Sequence, residues 1–212
     1  MRHGALEIMA GMRQETAIDG FRLAYERTGA GPAVLLLHGW PGDRTDYREV
    51  APLVSAAADV IVPDLRGFGE SDKHQADPAG QYNATAQARS LIGLMTELEL
   101  DRAVIAGYDI GSRIAQAIAR DRPDLVRALI VAPPLPGIGD RILVPPGPGG
   151  RIAVPTTVLW PEHDPLFPRE WSDRVGEFFS AARLTWLDGA GHFSPLEAPE
   201  DFAAAVITAV TG

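Results

Sequence analysis

Short β-rich apolar runs alternate along this chain with longer stretches whose apolar residues recur every three to four positions. The runs lie at 21–25, 33–37, 60–63, 103–106, 128–132, 157–160 and 184–187. The central ones are apolar throughout, as expected of parallel strands covered on both faces. Helical patterns fall near 44–56, 82–99, 111–121, 169–180 and 197–211. This alternation predicts an α/β fold: a doubly wound, mostly parallel sheet with helices on both faces. Residues 13–27, with Asp19-Gly20 between two runs, predict an N-terminal hairpin on that sheet. No internal repeat is visible.

One segment breaks the rhythm. Residues 133–155 hold seven prolines and five glycines in 23 positions, and 145–150 read PPGPGG. Proline lacks the amide proton and glycine costs backbone entropy, so neither helix nor strand is expected there. An irregular loop of that length is usually functional or a linker. Residues 1–12 are expected to be a disordered leader, with 13–212 forming the folded core.

Bulk properties narrow the function. The 212 residues carry a formal net charge of −9, which disfavours nucleic acid as a partner. With no cysteine, thiolate catalysis, disulfides and cysteine-ligated zinc are excluded. No apolar run approaches bilayer length and the N-terminus does not read as a secretory signal, so a cytoplasmic location without membrane association is expected. No metal or cofactor is implied.

Four motifs carry chemistry. Gly107-Tyr108-Asp109-Ile110-Gly111 joins an apolar run to a helical pattern. A Gly-x-nucleophile-x-Gly turn holds its central residue in a strained conformation at the carboxyl ends of the strands. Serine is the usual occupant; here it is Asp109. An aspartate before a helix also fits an ordinary N-cap, and the partners decide between the readings. The second motif, HGWPG (38–42), follows AVLLL; the amides of Trp40 and Ile110 are placed to form an oxyanion hole. His38 is expected to order its loop. In the third, WPEHDP (160–165), Asp164 is placed to orient a histidine, ahead of Glu162 and His163. In the fourth, GAGHF (189–193), His192 is the expected base. The order nucleophile, acid, histidine after successive strands joins these signals.

At this point the chain resembles the α/β-hydrolases with an aspartate nucleophile, and most of all the epoxide hydrolases. The residues that carry the resemblance are HGWPG (38–42), PDLRGFGESD (63–72), GYDIGS (107–112), WPEHDPLFP (160–168) and GAGHFSPLEAPEDF (189–202). The resemblance implies an α/β-hydrolase fold with catalytic Asp109, His192 and Asp164. It also implies Trp40, Tyr108 and Phe193 as contacts to a small apolar substrate, an epoxide or a halide, in a monomer or homodimer. A carboxylate suits displacement at saturated carbon, giving an alkyl ester of Asp109 that water then hydrolyses. His192 must be neutral to deprotonate that water, so activity should fall at low pH.

Dehalogenation is the alternative reaction. Haloalkane dehalogenases usually place a tryptophan after the nucleophile, where this chain has Ile110. Fluoroacetate dehalogenases place arginines one and four residues after it, and only Arg113 matches. The resemblance also implies a helical cap after the sixth sheet strand, with two tyrosines that donate to the epoxide oxygen. Residues 133–155 are too short for a cap, and Tyr25, Tyr47, Tyr82 and Tyr108 all lie outside them. PPGPGG resembles a linker closing an excised segment. Two classes of function follow: a capless hydrolase of altered activity, or a non-catalytic scaffold or binding module.

Overall fold

The computed structural model describes residues 12–133 and 150–212. The expected leader lies outside the described residues up to position 11, and so does 134–149 of the Pro/Gly-rich segment. Eight strands form one sheet: β1 (Met12–Ile18), β2 (Phe21–Gly29), β3 (Ala33–Leu37), β4 (Asp59–Pro63), β5 (Ala103–Tyr108), β6 (Val126–Ala132), β7 (Thr156–Pro161) and β8 (Ala182–Leu187). Their order is β1-β2-β4-β3-β5-β6-β7-β8. From β4 through β8 every neighbouring pair is parallel, whereas β1–β2 and β2–β4 are antiparallel. The N-terminal hairpin is present, Ile18 pairing Phe21 across Asp19-Gly20. Both turn residues have positive φ, 51° and 79°, as a two-residue turn between twisted strands requires.

The helices are α1 (Val50–Ser55), α2 (Pro78–Gln81), α3 (Ala84–Glu97), α4 (Ile110–Asp121), α5 (Val175–Phe178), α6 (Ser194–Glu197) and α7 (Pro199–Thr211). Successive strand residues point to opposite faces, and two cores result. Leu35, Leu37, Ile105, Leu129 and Val131 pack with Leu91 and Leu94 of α3 and Ile114 and Ile118 of α4. Val34, Leu36, Val104, Ala106 and Ile130 pack with Val50 and Val54 of α1 and Phe202 and Val206 of α7. A sheet covered on both faces explains the unbroken apolar runs.

Three expected helices are divided. The pattern at 44–56 forms a 3-10 turn at Arg44–Tyr47 and then α1; Pro52 fits the first turn of α1, where no amide proton is needed. The pattern at 197–211 breaks at Ala198, whose φ and ψ are −138° and 58°, because Pro199 disfavours helical backbone in the residue before it. The pattern at 169–180 becomes a 3-10 turn at Arg169–Arg174 followed by the single turn α5.

Of the segment 133–155, the described end is irregular, apart from an isolated bridge between Ile152 and Phe179. Ile152 and Val154 at that end are buried, at 3% and 8%. They join the core beneath α5. No helix among the described residues is long and apolar enough to cross a membrane.

Candidate active site

Asp109 stands between β5 and α4 with φ 51° and ψ −122°. A non-glycine residue there is strained, and the surroundings must hold it. Gly111 permits the close approach: a Cβ at that position would lie 2.1 Å from the Leu37 carbonyl oxygen. Gly107 does the same, since its Cβ would meet the Gly111 carbonyl carbon at 2.6 Å. The Asp109 side chain makes no capping bond to α4, which removes the helix-cap reading. Its Oδ1 instead accepts the Trp40 amide at 2.8 Å, and its Oδ2 faces His192 Nε2 at 3.2 Å.

His192 Nδ1 meets Asp164 Oδ2 at 2.9 Å. Asp164 is held in turn, its Oδ1 accepting the amides of Leu166 at 2.8 Å and Phe167 at 3.1 Å. The Phe167 ring lies parallel to the imidazole, centroids 6.2 Å apart. The three expected catalytic side chains, far apart in the chain, therefore meet in one line. All three are largely buried: side-chain exposure is 13% for Asp109, 8% for His192 and 0% for Asp164.

Burial alone would raise the Asp109 pKa, but hydrogen bonds from His192 and the amides of Trp40 and Ile110 hold it below the ordinary carboxylate value. Burial likewise opposes charge on His192. The bonds to Asp109 and Asp164 outweigh that and push its pKa up to about 9. The two carboxylates thus favour the protonated imidazole between them. The base is neutral only when that proton has been given up, because two negative partners bind it.

The supporting loops explain why this arrangement persists. His38 is fully buried. Its Nε2 accepts the Leu65 amide at 3.0 Å and its Nδ1 donates to the Gly39 carbonyl at 2.9 Å. Those two bonds fix a neutral tautomer, and burial, the largest effect, lowers its pKa. It orders the HGWPG turn, as expected. His163 is a surface residue, 67% exposed at its side chain. Glu162 accepts the Gly189 amide at 2.9 Å and steadies the loop that carries His192.

Of the expected substrate contacts, Trp40 and Phe193 lie at the surface, 65% and 38% exposed. Tyr108 does not belong with them. It is fully buried, its ring 6.3 Å from that of His192, and its hydroxyl donates to Asp46 Oδ2 at 2.6 Å.

Two positioning residues escaped the sequence reading. Glu197 Oε2 accepts the Gly191 amide at 2.8 Å and its Oε1 accepts the Phe193 amide at 2.9 Å, clamping both neighbours of His192. Asp46 anchors the buried Tyr108 hydroxyl. A carboxylate five residues after the histidine is a visible signal for Glu197; nothing local pairs Asp46 with a tyrosine 62 positions away.

Beside Asp109 a groove of about 470 Å³ runs between Trp40, Phe68, Tyr82, Ile110, Arg113 and Ile114. Trp40 and Ile110 belong to both the groove and the cradle of Asp109.

The model of the α/β hydrolase fold family matches residues 32–139, half of the chain. The chain belongs to the α/β-hydrolase fold family. Within it, the chain is epoxide hydrolase-like. It is 34% identical over 134 residues to a soluble epoxide hydrolase of Corynebacterium sp. (strain C12), covering 62% of this chain and 46% of that protein. A fluoroacetate dehalogenase of Burkholderia sp. is 38% identical over 109 residues, 51% of this chain and 36% of that protein. This α/β hydrolase thus spans a third to a half of the length of the curated relatives it matches. Epoxide hydrolase A of Mycobacterium thermoresistibile shares the fold, with a TM-score of 0.80 at 20% identity over 95% of this chain and 98% of that chain. A thermophilic esterase of Thermogutta terrifontis superposes with a TM-score of 0.77 at 26% identity, covering 92% of this chain and 96% of that one.

Proposed function

We propose that this hydrolase opens epoxides through a covalent ester on Asp109 and releases a vicinal diol. The observation that carries the reading is the strained Asp109, its carboxylate held between the Trp40 amide and His192. Attack by a carboxylate on an ordinary ester would give an anhydride, so displacement at saturated carbon is the better-matched chemistry. Oδ2 of Asp109 attacks a ring carbon and forms the ester bond. The C–O ring bond breaks, and its electron pair goes to the ring oxygen. That oxygen takes a proton from the His192 imidazolium, relayed by water.

Alkylation removes the negative charge of Asp109, so the neutral imidazole left behind no longer has two anions raising its pKa. It is then a base. His192, oriented by Asp164, deprotonates a water that attacks the Asp109 carbonyl carbon. The amides of Trp40 and Ile110 stabilise the oxyanion on Oδ1. Collapse frees the diol, restores the carboxylate and leaves His192 protonated, so the cycle consumes only water.

We read residues 133–155 as a short connection in place of a cap, whose loss would weaken the activity. Dehalogenation through the same ester is the second reading, favoured by the similarity to the fluoroacetate dehalogenase. The test is intact-protein and peptide mass spectrometry after rapid mixing with a reactive aryl epoxide. Added mass of the whole epoxide on the Asp109 peptide is expected, as an ester that decays with time. No adduct on that peptide would send the assignment to the non-catalytic scaffold.

A further inference from the structure

We propose that Arg113 is a catalytic residue of this site, donating N–H hydrogen bonds to the oxygen released when the epoxide ring opens. The inference rests on the aspartyl-ester reading and adds the electrophilic partner that reading lacks. Ring opening places a negative charge on an oxygen that must be stabilised as it forms. The donor has to lie in the groove beside Asp109, because the groove shares Trp40 and Ile110 with the nucleophile's cradle.

The tyrosines do not supply it. Tyr25 donates to Gln14 Oε1 at 2.7 Å, Tyr47 to the Leu37 carbonyl at 2.9 Å, Tyr82 to the His74 carbonyl at 2.6 Å and Tyr108 to Asp46 at 2.6 Å. These are all the tyrosines in the chain. The single lysine, Lys73, bonds to the carbonyls of Gly69 and Ser71.

Besides the exposed Trp40 indole, four polar side chains line the groove, and three are engaged. Tyr82 is one. Asn83 accepts the Ala86 amide and donates to the Ala79 carbonyl. Gln87 accepts the Arg66 amide and donates to the Arg66 carbonyl, each at 2.9 Å. Arg113 is the fourth. Among the described residues its guanidinium makes no hydrogen bond or ion pair, although the chain has an excess of carboxylates.

Arg113 is also well placed to act on the same substrate atom set as Asp109. It lies four residues on, one turn along α4, and its backbone amide bonds the Asp109 carbonyl at 3.4 Å. The walls around it are Phe68, Ile110 and Ile114, which suit a neutral apolar epoxide whose only polar atom is the ring oxygen. A guanidinium stays charged and keeps its protons. It therefore stabilises the oxyanion by hydrogen bonding, while the proton itself comes from His192 through water.

The test uses the full chain and its Arg113→Gln and Arg113→Lys variants, mixed with para-nitrostyrene oxide and quenched over time. Ester on the Asp109 peptide is measured by mass spectrometry, and folding by thermal melt. Ester formation in Arg113→Gln is expected to slow on the order of 100-fold to 1,000-fold, the usual loss for one such donor. Decay of the ester should be unchanged, and Arg113→Lys should recover part of the rate. If Arg113→Gln fails to fold, wild type against Arg113→Lys carries the same comparison at smaller amplitude. Ester formation at the wild-type rate in the folded variants would overturn the role. So would a loss confined to phenylglycidate, an epoxide bearing a carboxylate, which would make Arg113 an anchor for that carboxylate. An absence of ester in wild type would instead overturn the aspartyl-ester reading, and this role with it.

Discussion

Two aspartates face the same imidazole, and their surroundings separate their roles. Asp109 sits in a strained turn, accepts the Trp40 amide at 2.8 Å and keeps 13% of its side chain exposed. Asp164 sits in a loop turn, accepts two amides on one oxygen and is fully sealed. A carboxylate that keeps some access and is fixed by its backbone can attack. One that is fully enclosed can only orient its partner. The residue type is the same, so accessibility and backbone strain decide the chemistry.

The largest effect should come from removing the exposed member of the pair. Asp109→Asn is expected to abolish ester formation, lowering turnover by on the order of 10⁴-fold or more. The fold should persist, because an amide is nearly isosteric. Single-turnover mass spectrometry and far-UV circular dichroism check the two parts. Equal turnover in wild type and variant would mean that another group attacks, and the contrast between the two aspartates would collapse.

Next come changes to the shared imidazole. His192→Gln should slow ester hydrolysis by on the order of 10²–10⁴-fold, the usual contribution of a general base. Alkylated Asp109 should then accumulate. Asp164→Asn should instead move the titration: with one of two anions removed, the His192 pKa should fall below its value of about 9. NMR titration of the imidazole reads this directly. A pKa unchanged in Asp164→Asn would mean that Asp164 is not an electrostatic partner.

The same titration links to stability. The folded-state His192 pKa, about 9, exceeds its ordinary 6.5. Its stabilising contribution should therefore be complete below about pH 6.5 and lost as pH rises through about 9. Asp109 works the other way, since its pKa is lowered from 3.8. Its contribution is present above pH 3.8 and is lost as pH falls through the lower folded value. Urea denaturation across this range should show the alkaline loss in wild type and a smaller one in His192→Gln.

Much of this arrangement was legible in the chain because its signals are local. Gly107 and Gly111 bracket Asp109 at the spacing the turn needs, and both leave no room for a Cβ. The unbroken apolar runs marked the parallel strands within a few residues of their ends. Contacts between distant segments were not legible. Nothing near Tyr108 says that Asp46 receives its hydroxyl, so Tyr108 read as a substrate contact. The charge state of His192 depends on two carboxylates meeting in space, which no local signal in the chain reports. The divided helices were visible only in part: Pro199 warned of the break at Ala198, but 169–180 kept its apolar spacing without forming one helix.

The smallest effect should come from Glu197, which tests whether the His192 arm needs support that the Asp109 arm takes from its own backbone. The elbow is fixed by glycines and by α4 packing behind it. The histidine loop has no comparable strain to define it; it is held where Glu197 bonds the amides of Gly191 and Phe193 on either side of His192. Glu197 is exposed, so water can replace part of what is lost, and Glu197→Ala should cost only about 0.5–1 kcal/mol in stability. The catalytic effect should fall unevenly. Ester formation takes its proton from His192 through water, which tolerates a small displacement, so it should drop little. Ester hydrolysis needs the imidazole aligned with both Asp164 and the attacking water, and a small misplacement there is amplified. A loss on the order of 10-fold in hydrolysis, with ester formation nearly intact, is expected. Glu197→Gln should retain part of the function, since its one carbonyl oxygen can accept one of the two amides. If both steps slow equally in Glu197→Ala, the clamp supports the whole site, and the two arms are not independently held.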